Sequence, residues 1–188
     1  MNEVINCLLS RRSIRNYKAD PVKKEDMEQI IKCGQYSASA RNIQPWHFTV
    51  VTDKKIMDEM VEEFQNIIDK GGPSMKAALP DRAKVDGFHN FYHAPAVIVV
   101  SGKEDAKFRE SDIGGCVQNM AVAAHALGLA TCIIANILPV FSGQKGNEFI
   151  SRLKVPEGFV PTMTMAVGYN AGPNPDAPAR ITENVNYI

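Results

Sequence analysis

The stretch from Asp112 to Leu129, DIGGCVQNMAVAAHALGL, has helical spacing yet is apolar on nearly every side. Ile113, Val117, Met120, Ala121, Ala124 and Leu127 form one stripe, while Cys116, Val122, Ala123 and Ala126 fill the other faces. Such a helix has to be covered, by core or by a second subunit. Asp112, Gln118, Asn119 and His125 interrupt the run and argue against a membrane span. Asp112 stands where an N-cap belongs and Gly128 where the chain turns out of a helix, after which Thr131–Ile134 reads as a short buried strand. Amphipathic helices are predicted over Glu3–Ser10, capped by Asn2, over Lys24–Tyr36, ending near Gly34, over Lys54–Ile68 and over Asn147–Leu153. The β-branched and aromatic runs Trp46–Thr52, Ala96–Ser101 and Thr162–Tyr169 are predicted strands. Asp69–Ala94, with Gly71-Gly72-Pro73, Pro80 and Gly87, carries no assigned element. Its Met75, Leu79, Phe88, Phe91 and Tyr92 make it either a lid over a pocket or a surface excursion with its own small cluster. The tail from Asn170 holds Pro173, Pro175 and Pro178 and should run extended, and the alternation of Val185, Tyr187 and Ile188 predicts that its end is paired as a strand. Strands separated by helices give a layered α/β arrangement whose strand directions the pattern leaves open.

Composition narrows the functional classes. A chain of 188 residues suits one domain, 1–188, and affords a core of this size. Acidic and basic residues balance at 21 each, so no long-range field favours nucleic acid or an anionic membrane. Cys7, Cys33, Cys116 and Cys132 are scattered without a CxxC pair and read as small hydrophobes. The opening MNEVINCLLSRRS has an apolar run too short for a secretory signal, which points to the cytoplasm. GxGxxG after a strand, GxxxxGK[ST], GxSxG and HExxH are all missing, and His47, His89, His93 and His125 share no metal spacing, so no metal ligands are assigned. His125, inside the apolar helix, reads as a hydrogen-bonded core residue.

The candidate chemistry sits in two places. Arg11, Arg12, Ser13 and Arg15 follow a helix end, a density of donors that suits a phosphate group, against the competing reading of a solvated basic corner. Asn42 and Gln44 lie in the loop before Pro45-Trp46, where an amide offers the donor and acceptor that match the edge of a pyrimidine-like ring. The competing reading is that both only satisfy the turn.

RRSIRNY, SASARNIQPWHF, YHAPAVIVV, ALGLATCII, VPEGFVPTMTMAVGY and a C-terminal arginine, in that order, resemble the FMN-dependent nitroreductase family over nearly the whole chain. The resemblance implies an α+β fold, an α/β/α sandwich with a central mixed, mostly antiparallel sheet, in an intertwined homodimer. It implies FMN at the subunit interface, with the long helix in that interface and the tail reaching onto the partner. By position, Arg11, Arg12 and Ser13 would meet the phosphate and ribityl end, with Arg180 assisting, and Arg15 the pyrimidine side. Asn42 would reach the ring edge from the other subunit beside Ser39, with Gln44 as a further contact. Backbone at Ala135 and Asn136 would face the reactive edge. No side chain is assigned as a catalytic acid or nucleophile. The chain departs from the family where Ala38 replaces a common proline, where GLATC replaces GLGTC, and where Ala135 stands in place of an acid found in some members. The implied activity is transfer of two electrons from NADH or NADPH to a nitroaromatic, a quinone or a similar small acceptor by a ping-pong mechanism. The alternatives are an FMN carrier or sensor without turnover, and a specialised enzyme acting on halogenated aromatics or on flavin itself.

Overall fold

The computed structural model describes residues 2–85 and 87–188. Its elements follow in the order α1 (Glu3–Ser10), α2 (Lys24–Gln35), β1 (Trp46–Val51), α3 (Lys54–Lys70), α4 (Gly72–Ala78), β2 (Ala96–Lys103), α5 (Arg109–Ala126), β3 (Ala130–Ile134), α6 (Pro139–Ser142), α7 (Gly146–Arg152) and β4 (Phe159–Gly168). Every strand lies in one sheet, in the order β1-β2-β4-β3, and all of these pairings are antiparallel. The parallel component is a single bridge, Ser13 to Thr131, that lays the segment after α1 along β3. The Ile14 N–H donates to the Thr131 carbonyl at 2.9 Å to hold it there. The four-stranded sheet is therefore antiparallel in all its strand pairs, with one parallel bridge laid on its β3 edge, and the fold is α+β.

Alternation along β2 explains the layers, because successive side chains leave opposite faces of a strand. Val97 and Val99 enter one core with Met57, Met60 and Phe64 of α3 and Phe149 of α7. Ala96, Ile98 and Val100 enter the other, with Met27 and Ile30 of α2 and Ile113, Cys116, Val117 and Met120 of α5. Both faces being covered, β2 is apolar throughout, which is why it reads as a continuous hydrophobic run. Burying each such side chain contributes roughly 1.5–3 kcal/mol.

The structure corrects the sequence reading at several points. α5 begins at Arg109 after Phe108, so Asp112 is not its N-cap but a buried residue inside it. The Asp112 carboxylate instead accepts the Ala40 N–H at 3.1 Å, the first amide of a one-turn 3-10 helix, Ala40–Asn42, that has no earlier carbonyl of its own to bond. α2 does end near Gly34, at Gln35, but Gly34 is also buried where α2 crosses α5, and a Cβ there would stand 2.7 Å from Met120 Cγ. Gly128 does make the predicted turn, with φ +76. α5 is buried along one side only: Gly114, Gly115, Gln118, Asn119 and Ala126 are exposed in the single chain. The apolar face of α1 is likewise bare, with Val4 63% and Leu9 61% exposed and no buried residue.

The excursion over residues 69–94 is not an independent cluster: with α3 it lines a cavity of about 760 Å³, to which Leu79, Phe88 and His89 contribute. Its front forms α4, with Met75 exposed, whereas its end drives Phe91 and Ala94 into the main core. Residue 86 lies outside the described residues. Beyond Gly168 the chain forms one bridge, Tyr17 to Asn170, and then runs on without a strand, leaving Val185, Tyr187 and Ile188 exposed and unpaired within the chain. No helix among the described residues is long and apolar enough to cross a membrane.

Candidate functional site

The end of α1, the end of α5 and the start of β3 converge on a cavity of about 320 Å³ lined by Arg11, Arg12, His125 and Thr131 and closed by Asn170 and Asn174. Arg12 Nη1 donates to the carbonyls of Leu9 and Arg11, each at 2.7 Å, and so satisfies the last turn of α1. Its Nε, and Nη1 of Arg11, are buried with no hydrogen-bond partner. Buried donors of a charged group left without partners are costly. No carboxylate lines the cavity, so the arrangement is built to receive an anion. Ser13 is not among the lining residues; it lies between Arg12 and Ile14 and is bridged to Thr131.

Further along that segment Arg15 leaves the cavity. Its guanidinium lies 5.9 Å from the Tyr92 ring centroid, and Arg82 Nε donates to the Tyr92 hydroxyl at 3.3 Å. Burial pushes the Cys132 thiol up, opposed in part by Arg15, Arg82 and Arg11, and burial pushes Cys116 up to about 12. Both are thiols at neutral pH and offer no nucleophile. Tyr17 is also raised, chiefly by burial, and its hydroxyl donates to the Ile14 carbonyl at 2.7 Å. Ala135 and Asn136 follow β3 directly and open the turn in which Leu138 N–H donates to the Ala135 carbonyl.

The second group sits elsewhere. Asn42 and Gln44 line an open cavity of about 910 Å³ with Tyr36, Trp46 and Phe48. Arg41, Asn42 and Gln44 all have positive φ, at 54°, 54° and 48°. For non-glycine residues that conformation is held at a cost of about 1–3 kcal/mol each, and it persists only where neighbours over-determine it. Ser39 does so from inside the loop: its hydroxyl accepts the Gln44 N–H at 3.0 Å and its carbonyl the Asn42 N–H at 2.9 Å. Gln44 Nε2 donates to Asn42 Oδ1 at 3.2 Å. α5 holds the loop from below, through Asp112 on Ala40 and through Asn119 Nδ2, which donates to Ser37 Oγ at 2.8 Å. Sequence reasoning missed Asp112 and Asn119 as anchors, although a charge and an amide on an otherwise apolar helix were the available signal. Within one chain the arginine group and the Asn42 group do not share a cavity, and Arg180 lies in the exposed tail, donating to the Pro178 carbonyl at 2.6 Å.

Two histidine expectations also change. His125 is half-buried at the cavity wall, not in the core, and its Nε2 is 2.8 Å from Ser10 Oγ. His89 and His93, which show no metal spacing in sequence, come together with Asp58 so that one ligand atom from each lies within 4.8 Å of the others. The hydrogen bonds decide what this trio does. His89 Nδ1 accepts the N–H groups of Phe91 and His93, so its proton sits on Nε2 and points at Asp58 Oδ1, 3.2 Å away. A nitrogen carrying that proton has no lone pair for a metal, and the trio latches the end of the excursion to α3.

The family model described as the nitroreductase family matches residues 8–169. The chain belongs to the nitroreductase family. It is 30% identical to an FMN reductase [NAD(P)H] of Bacillus subtilis over 100% of this chain and 74% of the relative. It superposes on a crystal structure of a nitroreductase with bound FMN from Bacteroides fragilis with TM-score 0.89 and 25% identity, covering 100% of both chains. A second nitroreductase with bound FMN, from Desulfitobacterium hafniense, gives TM-score 0.85 and 28% identity over 100% of this chain and 99% of that one.

In this member of the nitroreductase family the strained loop depends on its α5 anchors. Asp112→Ala leaves the Ala40 N–H unpaired and is expected to cost about 1–3 kcal/mol. Hydrogen exchange at the Asn42 and Gln44 amides should then accelerate, while Asp112→Asn, which keeps an acceptor, should restore protection. Unchanged exchange in Asp112→Ala would show that the loop is held without it.

Proposed function

We propose that this chain is an FMN-dependent oxidoreductase that carries two electrons from NADH or NADPH to a small organic acceptor such as a nitroaromatic or a quinone. The observation that carries the reading is the pair of guanidinium groups, Arg11 and Arg12, each with a buried donor left without a partner, lining a cavity that no carboxylate lines. They fit the phosphate of FMN, the cofactor bound in the Bacteroides fragilis and Desulfitobacterium hafniense nitroreductases. The name of the Bacillus subtilis relative supports a nicotinamide donor.

FMN, when bound, supplies the chemistry of accepting and passing on an electron pair. The chain's residues bind and orient it. Arg11 and Arg12 would hold the phosphate, with Ser13 at the ribityl side and Arg180 joining from the tail. Arg15 would set a positive charge at the pyrimidine end, where it makes acceptance of electrons more favourable. Asn42 of the partner subunit, with its neighbours Ser39 and Gln44, would meet the ring edge, and backbone at Ala135 and Asn136 would lie at the reactive edge. A homodimer is supported by the separation of the two residue groups within one chain, by the bare apolar face of α1 and by the exposed apolar residues of the tail. Free thiols and balanced charge suit a cytoplasmic setting.

The purified protein should be yellow, with about one FMN per chain. Arg11→Ala should retain FMN about ten- to a hundredfold more weakly than Lys54→Ala, the scale of a charge-assisted hydrogen bond; equal retention, read from the fluorescence of released flavin, would remove Arg11 from the phosphate site. Sedimentation at micromolar concentration should give a dimer, and Leu8→Glu on the bare face of α1 should shift it toward monomer. A wild-type monomer would refute the assembly. Donor and acceptor each have to reach the same ring, so initial rates should give parallel double-reciprocal lines; intersecting lines would mean that both bind at once. Arg15→Ala should lower the flavin potential and slow reduction by the nicotinamide, and an unchanged potential would end the tuning role.

A further inference from the structure

Resting on the FMN reading above, we propose that His125 is a further member of the phosphate site, and that it makes cofactor binding draw a proton from solution. The geometry assigns the role. α5 ends at Ala126, one residue beyond His125, and this places the imidazole in the wall of the cavity that Arg11 and Arg12 also line. The last turn of a helix favours a cation, and at His125 the helix end faces the arginines.

The charged groups around His125 are of one sign. From the α1 side come Ser10, whose hydroxyl is 2.8 Å from Nε2, and the Arg11 and Arg12 guanidinium groups. From β3 and the tail come Leu129, Ala130, Thr131, Asn170 and Asn174, none of which ionises at neutral pH. Burial first, and then Arg11 and Arg12, hold the imidazole below its ordinary range, so it is neutral at pH 7 while the cavity holds no anion. A phosphate dianion reverses the balance. It offsets both guanidinium charges and adds an attraction of its own, so the protonated imidazole becomes the favoured form. Protonated Nε2 then donates to Ser10 Oγ and leaves the Ser10 proton free for another acceptor.

The sign follows from linkage. With the bound-state value above the free-state value, the complex holds more protons between the two, and affinity falls as pH rises through that window. Above both values the dependence ends. The phosphate has its own ionisation near pH 6, which acts in the opposite direction. Comparison with a variant that cannot titrate cancels that contribution.

The experiment measures FMN retention of the full-length protein by equilibrium dialysis from pH 6 to 8.5, for wild type and for His125→Asn, which keeps a polar partner for Ser10. The ratio of wild-type to variant affinity is expected to fall as pH rises, by up to about tenfold per pH unit where one full proton is linked. Calorimetry in two buffers of different ionisation enthalpy should show proton uptake that the variant lacks. Riboflavin, without a phosphate, should give a pH-independent ratio. A constant ratio for FMN across the range overturns the proposal. The two readings are separated by following the His125 ring protons by NMR with FMN and with inorganic phosphate. FMN bound with an unmoved His125 midpoint overturns the proton-linked role and leaves the flavin reading intact. A midpoint raised by inorganic phosphate in a protein that takes up no FMN sustains the anion site and overturns the flavin reading.

Discussion

α5 packs on the sheet through small side chains, with Cys116, Ala121 and Ala124 fully buried among Ile113, Val117 and Met120. That contact sets the position of nearly everything at the candidate site. Asp112 and Asn119 rise from the helix to hold the Asn42 loop, while His125, nearer its C-terminal end, stands at the arginine cavity. The turn at Gly128 then delivers β3, along which the Arg11–Arg15 segment is laid.

Electrostatics gives those positions their meaning. Four arginines, Arg11, Arg12, Arg15 and Arg82, gather along one edge without forming an ion pair among the described residues, although the chain as a whole is neutral. Arg109 and Arg152, by contrast, sit on carboxylates. Net neutrality therefore conceals a local excess of positive charge, of the kind that an anionic ligand neutralises and that long-range steering would not reveal. The strained loop is the complement: its cost is borne by Ser39 and α5, so that Asn42 and Gln44 are presented in a fixed shape on an open surface.

Chemistry in such a site comes from placement. The buried cysteines are held as thiols, His89 is committed to Asp58 and to backbone N–H groups, and Tyr17 is occupied by the Ile14 carbonyl. What remains are donors, a titratable imidazole beside them, and a second residue group that lines a different cavity of the same chain.

Local pattern was sufficient for most of the secondary structure. The spacing of apolar residues predicted α1, α2, α3 and all four strands to within a few residues, because period 3.6 and period 2 are properties of neighbours in the chain. The arginine cluster and the amide loop were legible as chemistry for the same reason: their members are adjacent in sequence, and the order of motifs along the chain carried the family resemblance. What neighbours in the chain do not encode is which distant group satisfies a polar atom. Asp112 looked like a cap because caps are local, yet its partner is Ala40, seventy-two residues away. Gly34 marked the end of α2, but nothing local showed that its lack of a Cβ also serves the crossing with Met120. His125 looked like core until the end of α1 came to rest beside it, and Asp58, His89 and His93 had no relation until the excursion folded back onto α3. Burial and hydrogen-bond satisfaction are sums over the packed molecule, so only the tertiary structure decided which of these polar residues hold the fold and which face the cavity.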